Sequence, residues 1–481
     1  MNLSRIRLAS GDSVSPVVMT LVGSWSRTSR AAAYRSLSRS QWLSVEELER
    51  LQEHRLRAIF EVARSTRWYA RLLPSADVCN RHPRRVLADL PPLTRSDLQS
   101  NLDAISVPKE LRAAGSENYT GGSTGAPVRF YQSAAYQART TAELYRDYEM
   151  CNGFRMGERR LFFWGSDVDS RDHAGLSGLV RDTLTNQVWL NAFGSADVAP
   201  ERAAAIVRQT RPRLVIGYVS TLVDVARSLT DSPSSIRGVQ TAAEMLTPDQ
   251  RDLIEHSFGA RVFNRYGCRE VGNIAHECGD HSGLHLLMEN NLTELTDESG
   301  GAVGAGDEGL VTVTNLWNTA TPLIRYQPGD VACEGDRKCE CGRGAPKLAT
   351  VLGKSADVIA TPSGRRLHGA FFTHLFYNQP VRRFRVEQTD AYRLEVLVVP
   401  DTGYGYHVKR RVCAAIVRHG DPAFAVNWRE VDTIPASPSG KYRFTVSALN
   451  GQLGAAPAGG LDLPQPPESP ILRAEPPQES E

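Results

Sequence analysis

The sequence predicts an α/β fold: a large, multi-layer N-terminal α/β part followed by a small α+β unit. Three observations carry this. From about residue 119 to 350, amphipathic stretches such as "PERAAAIVRQT" and "TLVDVARSL" alternate with short apolar runs such as "RLVIGY", "ARVFNRYG" and "GLVTVTNL", as helices and strands in turn do. After Gly353 the texture changes to alternating strands, "RRFRVEQ" and "YRLEVLVV", around one amphipathic helix, "YHVKRRVCAAIVRH". With 481 residues, 41% apolar and 23% charged, the chain has the composition of a globular protein large enough for several domains.

Taken in order, residues 1–118 read as mainly helical. "SVEELERLQEHRLRAIFEVARSTRWYARLL" spaces its apolar residues for a helix behind a serine cap and early glutamates. "DLPPLTRSDL" ends that pattern and starts another helix. Residues 119–354 form the alternating core, and residues 355–450 the small unit, with "NWREVDTI" as a further strand. Residues 451–481, rich in Pro, Gly and Glu, are expected to be disordered.

A net charge of +2 offers no case for nucleic acid. No apolar run approaches the roughly 18 residues of a membrane span, and "VSPVVMTLVG" lacks the features of a leader. Eight cysteines, four of them clustered, suit reduced thiols and metal ligands in a cytoplasmic protein better than a disulfide scaffold. Lysine occurs six times, which leaves 50 of the 56 basic residues as arginine, a genomic bias against which Lys354 and Lys441 are candidates for positions that need a compact ammonium.

"YTGGSTGAPVRF" (119–130) is glycine-rich but lacks the lysine of the common nucleotide-binding loop, because Ala126 and Pro127 follow Gly125. Its small residues can instead turn backbone N–H groups inward, with the hydroxyls of Thr120, Ser123 and Thr124 as further donors. Downstream come "NRYGCRE" (264–270), read as leading into a helix, then "TPLIRYQPGD" (321–330), "GKSADVI" (353–359) and "PASPSGKYRF" (435–444).

In this order, these motifs resemble the core motifs of adenylate-forming enzymes, specifically the phenylacetate-CoA ligase family and its capsule-biosynthesis-like relatives, over roughly residues 50 to 445. "RPRLVIGYVSTL" and "TAAEMLTPDQR" look like that family's intervening segments. The resemblance implies ATP-dependent activation of a carboxylic acid to an acyl-adenylate, then transfer to coenzyme A or to a carrier-protein thiol in trans. It makes Thr120, Gly121, Gly122, Ser123, Thr124 and Gly125 the holders of the outer phosphates, and Glu270 the Mg²⁺ ligand. Tyr266, Gly267, Ala243 and Glu244 would line the adenine pocket, and Asp330 would accept from the ribose hydroxyls.

Lys441 would bridge the attacking carboxylate and the α-phosphate from a mobile lid that turns about Asp357. The sequence departs from the family at Arg269, at Gln327 and Pro328 before Gly329, at Lys354 and at Ala356. The first two changes touch the nucleotide pocket, and the last two the hinge. "FFWGSDVDS" (162–170) and "NAFGS" (191–195) could line an acid pocket with aromatic walls. Amide formation with an amine acceptor, or a scaffold that binds nucleotide and zinc without catalysis, are the alternatives.

Cys278 and His281 form a C-x-x-H pair, and Cys339 and Cys341 a C-x-C pair. Together they make a candidate structural Zn²⁺ site, with His276, His285 and Cys333 as spare ligands.

Overall fold

The computed structural model describes residues 30–112, 115–120, 128–164, 175–191, 199–304, 306–354, 358–363, 366–367, 369–376, 379–435 and 443–449. The chain divides into two compact units: among the described residues, those up to Lys354 belong to the larger, and those from Val358 to Pro435 and from Arg443 onward to the smaller.

In the larger unit the helices begin where the sequence signals them. Helix α1 is Arg30–Ser40 and α2 is Val45–Ala63, opened by a reciprocal cap between Ser44 and Glu47. Two short helices, α3 (Ala76–Arg81) and α4 (Pro83–Asp89), lead through strand β1 (Leu93–Thr94) into α5 (Arg95–Ile105). Thr94 and Asp97 cap α5 in the same reciprocal way. A hairpin of β2 (Gly115–Tyr119) and β3 (Arg129–Ser133) brackets the glycine-rich loop. Helix α6 (Ala134–Met150) then crosses the unit.

The alternating region builds five neighbouring parallel strands in the order β5-β4-β6-β7-β8. They are β4 (Arg160–Phe163), β5 (Gln187–Leu190), β6 (Leu214–Tyr218), β7 (Gly238–Ala242) and β8 (Arg261–Cys268). Helices α7 (Leu176–Leu184), α8 (Pro200–Thr210), α9 (Val219–Ser228) and α10 (Pro248–Phe258) connect them. Both faces of this block are covered, which explains the unbroken apolar runs. Leu161, Phe163, Val215 and Val262 pack on one face with α8, α9 and α10, while Phe162, Leu214, Ile216 and Phe263 pack on the other with Tyr148 of α6.

Beyond β8 the sheet turns antiparallel through β9 (Gly272–Glu277), β10 (Leu284–Leu286), β15 (Lys347–Lys354), β14 (Asp330–Glu334) and β12 (Glu308–Asn315). β11 (Asn291–Thr296) and β13 (Tyr326–Gln327) pair with β12, and β1 closes the edge on β13. Thirteen strands of the described residues thus share one sheet.

The helix expected after "NRYGCRE" is instead a tight β8–β9 hairpin. Two glycines decide it: Gly272 sits at φ 77°, and a Cβ on Gly267 would lie 2.5 Å from the Gly272 carbonyl oxygen.

The smaller unit holds a four-stranded sheet, β20-β19-β18-β21, from β18 (Val381–Gln388), β19 (Arg393–Pro400), β20 (Ala425–Glu430) and β21 (Thr445–Ser447). A two-stranded ribbon, β16 (Ile359–Ala360) with β17 (Arg366–Leu367), precedes helix α11 (Gly369–Leu375), and α12 (Tyr406–Ala415) follows β19. Val386, Val396, Val408 and Val412 sit in its core. The expected α+β texture is present, with the outer residues of β18 and β19 alternating as the sequence does. No helix among the described residues is long and apolar enough to cross a membrane.

Candidate functional site

The β8–β9 turn delivers Glu270, which is 3% exposed. Its Oε1 accepts from the Tyr326 hydroxyl at 2.9 Å and from the Arg95 guanidinium at 3.3 Å. Arg95, at the start of α5, also donates to Thr120 Oγ1 at 2.8 Å. Thr120 in turn closes the neck of the glycine-rich loop: its N–H donates to Val128 O and its Oγ1 accepts from Val128 N, both at 2.9 Å. One arginine therefore ties the loop's first hydroxyl to the buried carboxylate. Neither Arg95 nor Tyr326 stands out in the sequence as a site residue. Burial and Glu270 both push the Tyr326 phenol well above its usual pKa, so it stays a donor. Glu270 Oε2 takes no hydrogen bond among the described residues, and an open carboxylate oxygen of this kind suits a hard cation such as Mg²⁺.

A second carboxylate, Asp330, opens β14. Its Oδ2 accepts from the Tyr266 hydroxyl at 2.9 Å and its Oδ1 pairs with Lys354 Nζ at 2.8 Å. The β14–β15 register sets Asp330 directly opposite Lys354, and the ammonium also donates to Pro328 O. Burial works against the Lys354 charge, but Asp330 and Glu270 outweigh it and hold the ammonium above its usual pKa. Tyr266 is raised by burial first and then by Asp330, with Glu270 adding to it. Lys354 and Tyr266 each feel both carboxylates, so Glu270 and Asp330 belong to one electrostatic neighbourhood.

Ala243 and Glu244 follow β7 at the carboxyl ends of the parallel strands. Ala243 is held at φ 69°, a conformation that costs an alanine about 1–2 kcal/mol. Glu244 accepts from Ser220 N at 2.7 Å and Ser220 Oγ at 3.0 Å, at the amino end of α9. Across this end of the sheet Trp164 stacks on Tyr218, with ring centroids 4.6 Å apart. The backbone carbonyl of Arg269 accepts from Gln132 Nε2 at 3.4 Å. Residues Gly121, Gly122, Ser123, Thr124, Gly125, Asp357 and Lys441 lie outside the described residues.

The cysteine group differs in one ligand from the expectation. Cys278, His285, Cys339 and Cys341 bring their ligand atoms within 4.8 Å of one another, so His285 stands where His281 was expected. Cys278 Sγ lies 3.5 Å from Cys339 Sγ, and Cys341 Sγ lies 3.3 Å from His285 Nε2. Donors on a tetrahedron around Zn²⁺ are about 3.3–3.8 Å apart, so the spacing fits.

His285 Nδ1 lies 2.8 Å from Ala345 O, an arrangement that fixes the proton there and turns the Nε2 lone pair toward the thiols. Pairing of β10 with β9 and β15 places His285 beside the C-x-C loop. His281 is drawn elsewhere. Its backbone sits at φ 54°, its ring packs on Phe263, and its Nδ1 lies 3.2 Å from Arg251 and 3.5 Å from Glu277. Of the spare ligands, His276 meets Gln240 at 2.7 Å and Cys333 lies in β14, and neither joins the group.

No protein-family model matches the sequence. Among curated proteins, the chain is 26% identical over 341 residues to a phenylacetate-coenzyme A ligase of Thermus thermophilus, covering 66% of this chain and 72% of that protein. It is 25% identical over 377 residues to protein CapK of Staphylococcus aureus, covering 75% and 80%. Among solved structures, a 2-hydroxyisobutyryl-CoA ligase in its postadenylation state matches with a TM-score of 0.68 at 17% identity, over 85% of this chain and 93% of that one. An anthranilate-CoA ligase with anthranoyl-AMP matches at 0.51 and 14%, over 68% and 65%. The chain is thus similar in sequence to a phenylacetate-coenzyme A ligase and to CapK, and shares the fold of CoA ligases.

Proposed function

We propose that the protein is an AMP-forming acid–thiol ligase. A carboxylate oxygen of the acid attacks the α-phosphorus of ATP, the bond to pyrophosphate breaks, and an acyl-adenylate forms. The thiol of coenzyme A then attacks the acyl carbon and AMP leaves. The observation that carries this reading is the convergence of Thr120, Glu270 and Asp330, three residues drawn from separate motifs, on one end of the sheet. Phosphoryl chemistry of this kind asks a protein mainly to position groups and to balance charge.

In this reading the loop from Thr120 to Gly125 cradles the outer phosphates. Glu270 would hold Mg²⁺, which supplies charge neutralisation on the phosphates, with Arg269 beside it. Tyr266, Gly267, Ala243 and Glu244 line the adenine, Asp330 accepts from the ribose with Lys354 as its counter-ion, Lys441 bridges acid and α-phosphate, and Asp357 is the hinge position. Zn²⁺ held by Cys278, His285, Cys339 and Cys341 would be structural, since all four positions are protein ligands.

The test is product analysis with ATP, a panel of acids and coenzyme A. AMP, pyrophosphate and an acyl thioester in equal amounts are expected. ADP with phosphate, or AMP without acid dependence, contradicts the reading. An amide formed in preference when an amine replaces the thiol would establish the alternative acceptor.

A further inference from the structure

Arg265 precedes Tyr266 in β8, so the two side chains leave opposite faces of the sheet. Tyr266 points to Asp330. The guanidinium of Arg265 instead lies 5.3 Å over the Trp164 ring, and Trp164 stacks on Tyr218 at an interplanar angle of 16°. Tyr148, Cys151 and His276 are within its electrostatic reach, and none of them is an anion at neutral pH.

The location matters as much as the chemistry. β5 and β6 flank β4 on its two sides, so strand order reverses between β4 and β6, and open α/β sheets bind ligands outside the carboxyl ends at such a point. Trp164 follows β4 and Tyr218 ends β6. Arg265 pairs in register with Ala242, the last residue of β7.

Among the described residues no carboxylate pairs directly with the guanidinium of Arg265. The buried arginines of this unit all meet acceptors: Arg139 on Asn290, Arg146 on Asp147 and Glu289, Arg159 on Thr210, Arg160 on Gln187, and Arg325 on Glu294 and Leu90. Half-buried Arg265 makes no side-chain hydrogen bond or ion pair among the described residues, and its guanidinium lies over the face of an indole. A guanidinium held by a ring, with its N–H edge unused, is preorganised for a planar anion.

Resting on the ligase reading, we infer that the preferred acid is flat and carries a second carboxylate, which Arg265 receives while Trp164 and Tyr218 stack on the body of the molecule. Arg265 is then the residue that sets specificity for the acid.

Two measurements test this. In acid-dependent AMP formation, isophthalate and terephthalate are compared with benzoate and phenylacetate, for the wild type and for Arg265→Met and Arg265→Lys. Wild type is expected to favour a dicarboxylate by tenfold or more in kcat/KM. Arg265→Met should erase that ratio, and Arg265→Lys should restore part of it. Equilibrium binding of the dicarboxylates without ATP is the second readout, with tenfold or greater weakening expected in Arg265→Met.

Equal preference for mono- and dicarboxylates in wild type, or a ratio and a binding constant that Arg265→Met leaves in place, overturns the inference. Absence of turnover with every acid would count against the ligase reading instead, and binding lost in Arg265→Met would then still support Arg265 as the anion site.

Discussion

Removing Arg95 should cost both stability and nucleotide affinity, and a double-mutant cycle with Glu270 isolates the reason. Arg95 donates to Glu270 at 3.3 Å, where the carboxylate side chain is 4% exposed and the guanidinium 32%. A hydrogen bond to a charged group is worth about 1.5–3 kcal/mol, and the exposure of Arg95 argues for the lower half of that range. Arg95→Ala leaves Glu270 with Tyr326 alone, so a loss of about 2 kcal/mol is expected. Glu270→Gln should cost less, about 1 kcal/mol, because Tyr326 can still donate to the amide oxygen and Arg95 can turn to water.

The coupling between the two changes should then be about 1–2 kcal/mol. Urea unfolding followed by tryptophan fluorescence reads it, since six of the seven tryptophans precede residue 355 and report on the larger unit. Arg95→Ala should also raise KM for ATP about tenfold, through the freed neck of the loop at Thr120. A coupling below about 0.3 kcal/mol would refute the claim that this ion pair holds the site together.

Three further outcomes follow. Glu143 is buried in α6 with one oxygen unpartnered among the described residues, and burial, reinforced by Asp147, raises its carboxyl well above the usual range. A raised carboxyl keeps its proton in the folded chain after the unfolded chain has lost it. Its contribution therefore falls as pH rises above about 4.5, and Glu143→Gln should gain stability over wild type at neutral pH, with the advantage gone below that value in urea titrations. Metal analysis should find about one zinc per chain, retained in His281→Ala and lost in His285→Ala and Cys339→Ser. Asp330→Asn keeps an acceptor for Tyr266 but abandons Lys354, and calorimetry should show ATP bound ten- to a hundredfold more weakly, as about 1.4–2.8 kcal/mol would give.

The fold was legible where local chemistry agrees with the global pattern. Ser44 with Glu47 and Thr94 with Asp97 start the helices they announce, and "RLVIGY" is apolar throughout because β6 is buried on both faces. Glu270 and Asp330 were legible as motif residues, yet what holds them was not. Arg95 is 175 residues from Glu270 and Tyr326 is 56 away, and only the sheet register brings them together.

The cysteine group shows the same limit. Spacing favoured His281, but its left-handed backbone turns the ring to Phe263, and pairing of β10 supplies His285 instead. The helix expected after Tyr266 became a hairpin for reasons of close approach at Gly267, which spacing does not encode.

Acid-dependent exchange of radiolabelled pyrophosphate into ATP tests the central claim most directly, with Lys441→Ala alongside wild type. The account predicts exchange that requires an acid and falls at least a hundredfold in the variant, about 2.7 kcal/mol of transition-state stabilisation. Exchange that proceeds without acid, or that Lys441→Ala leaves intact, would contradict it.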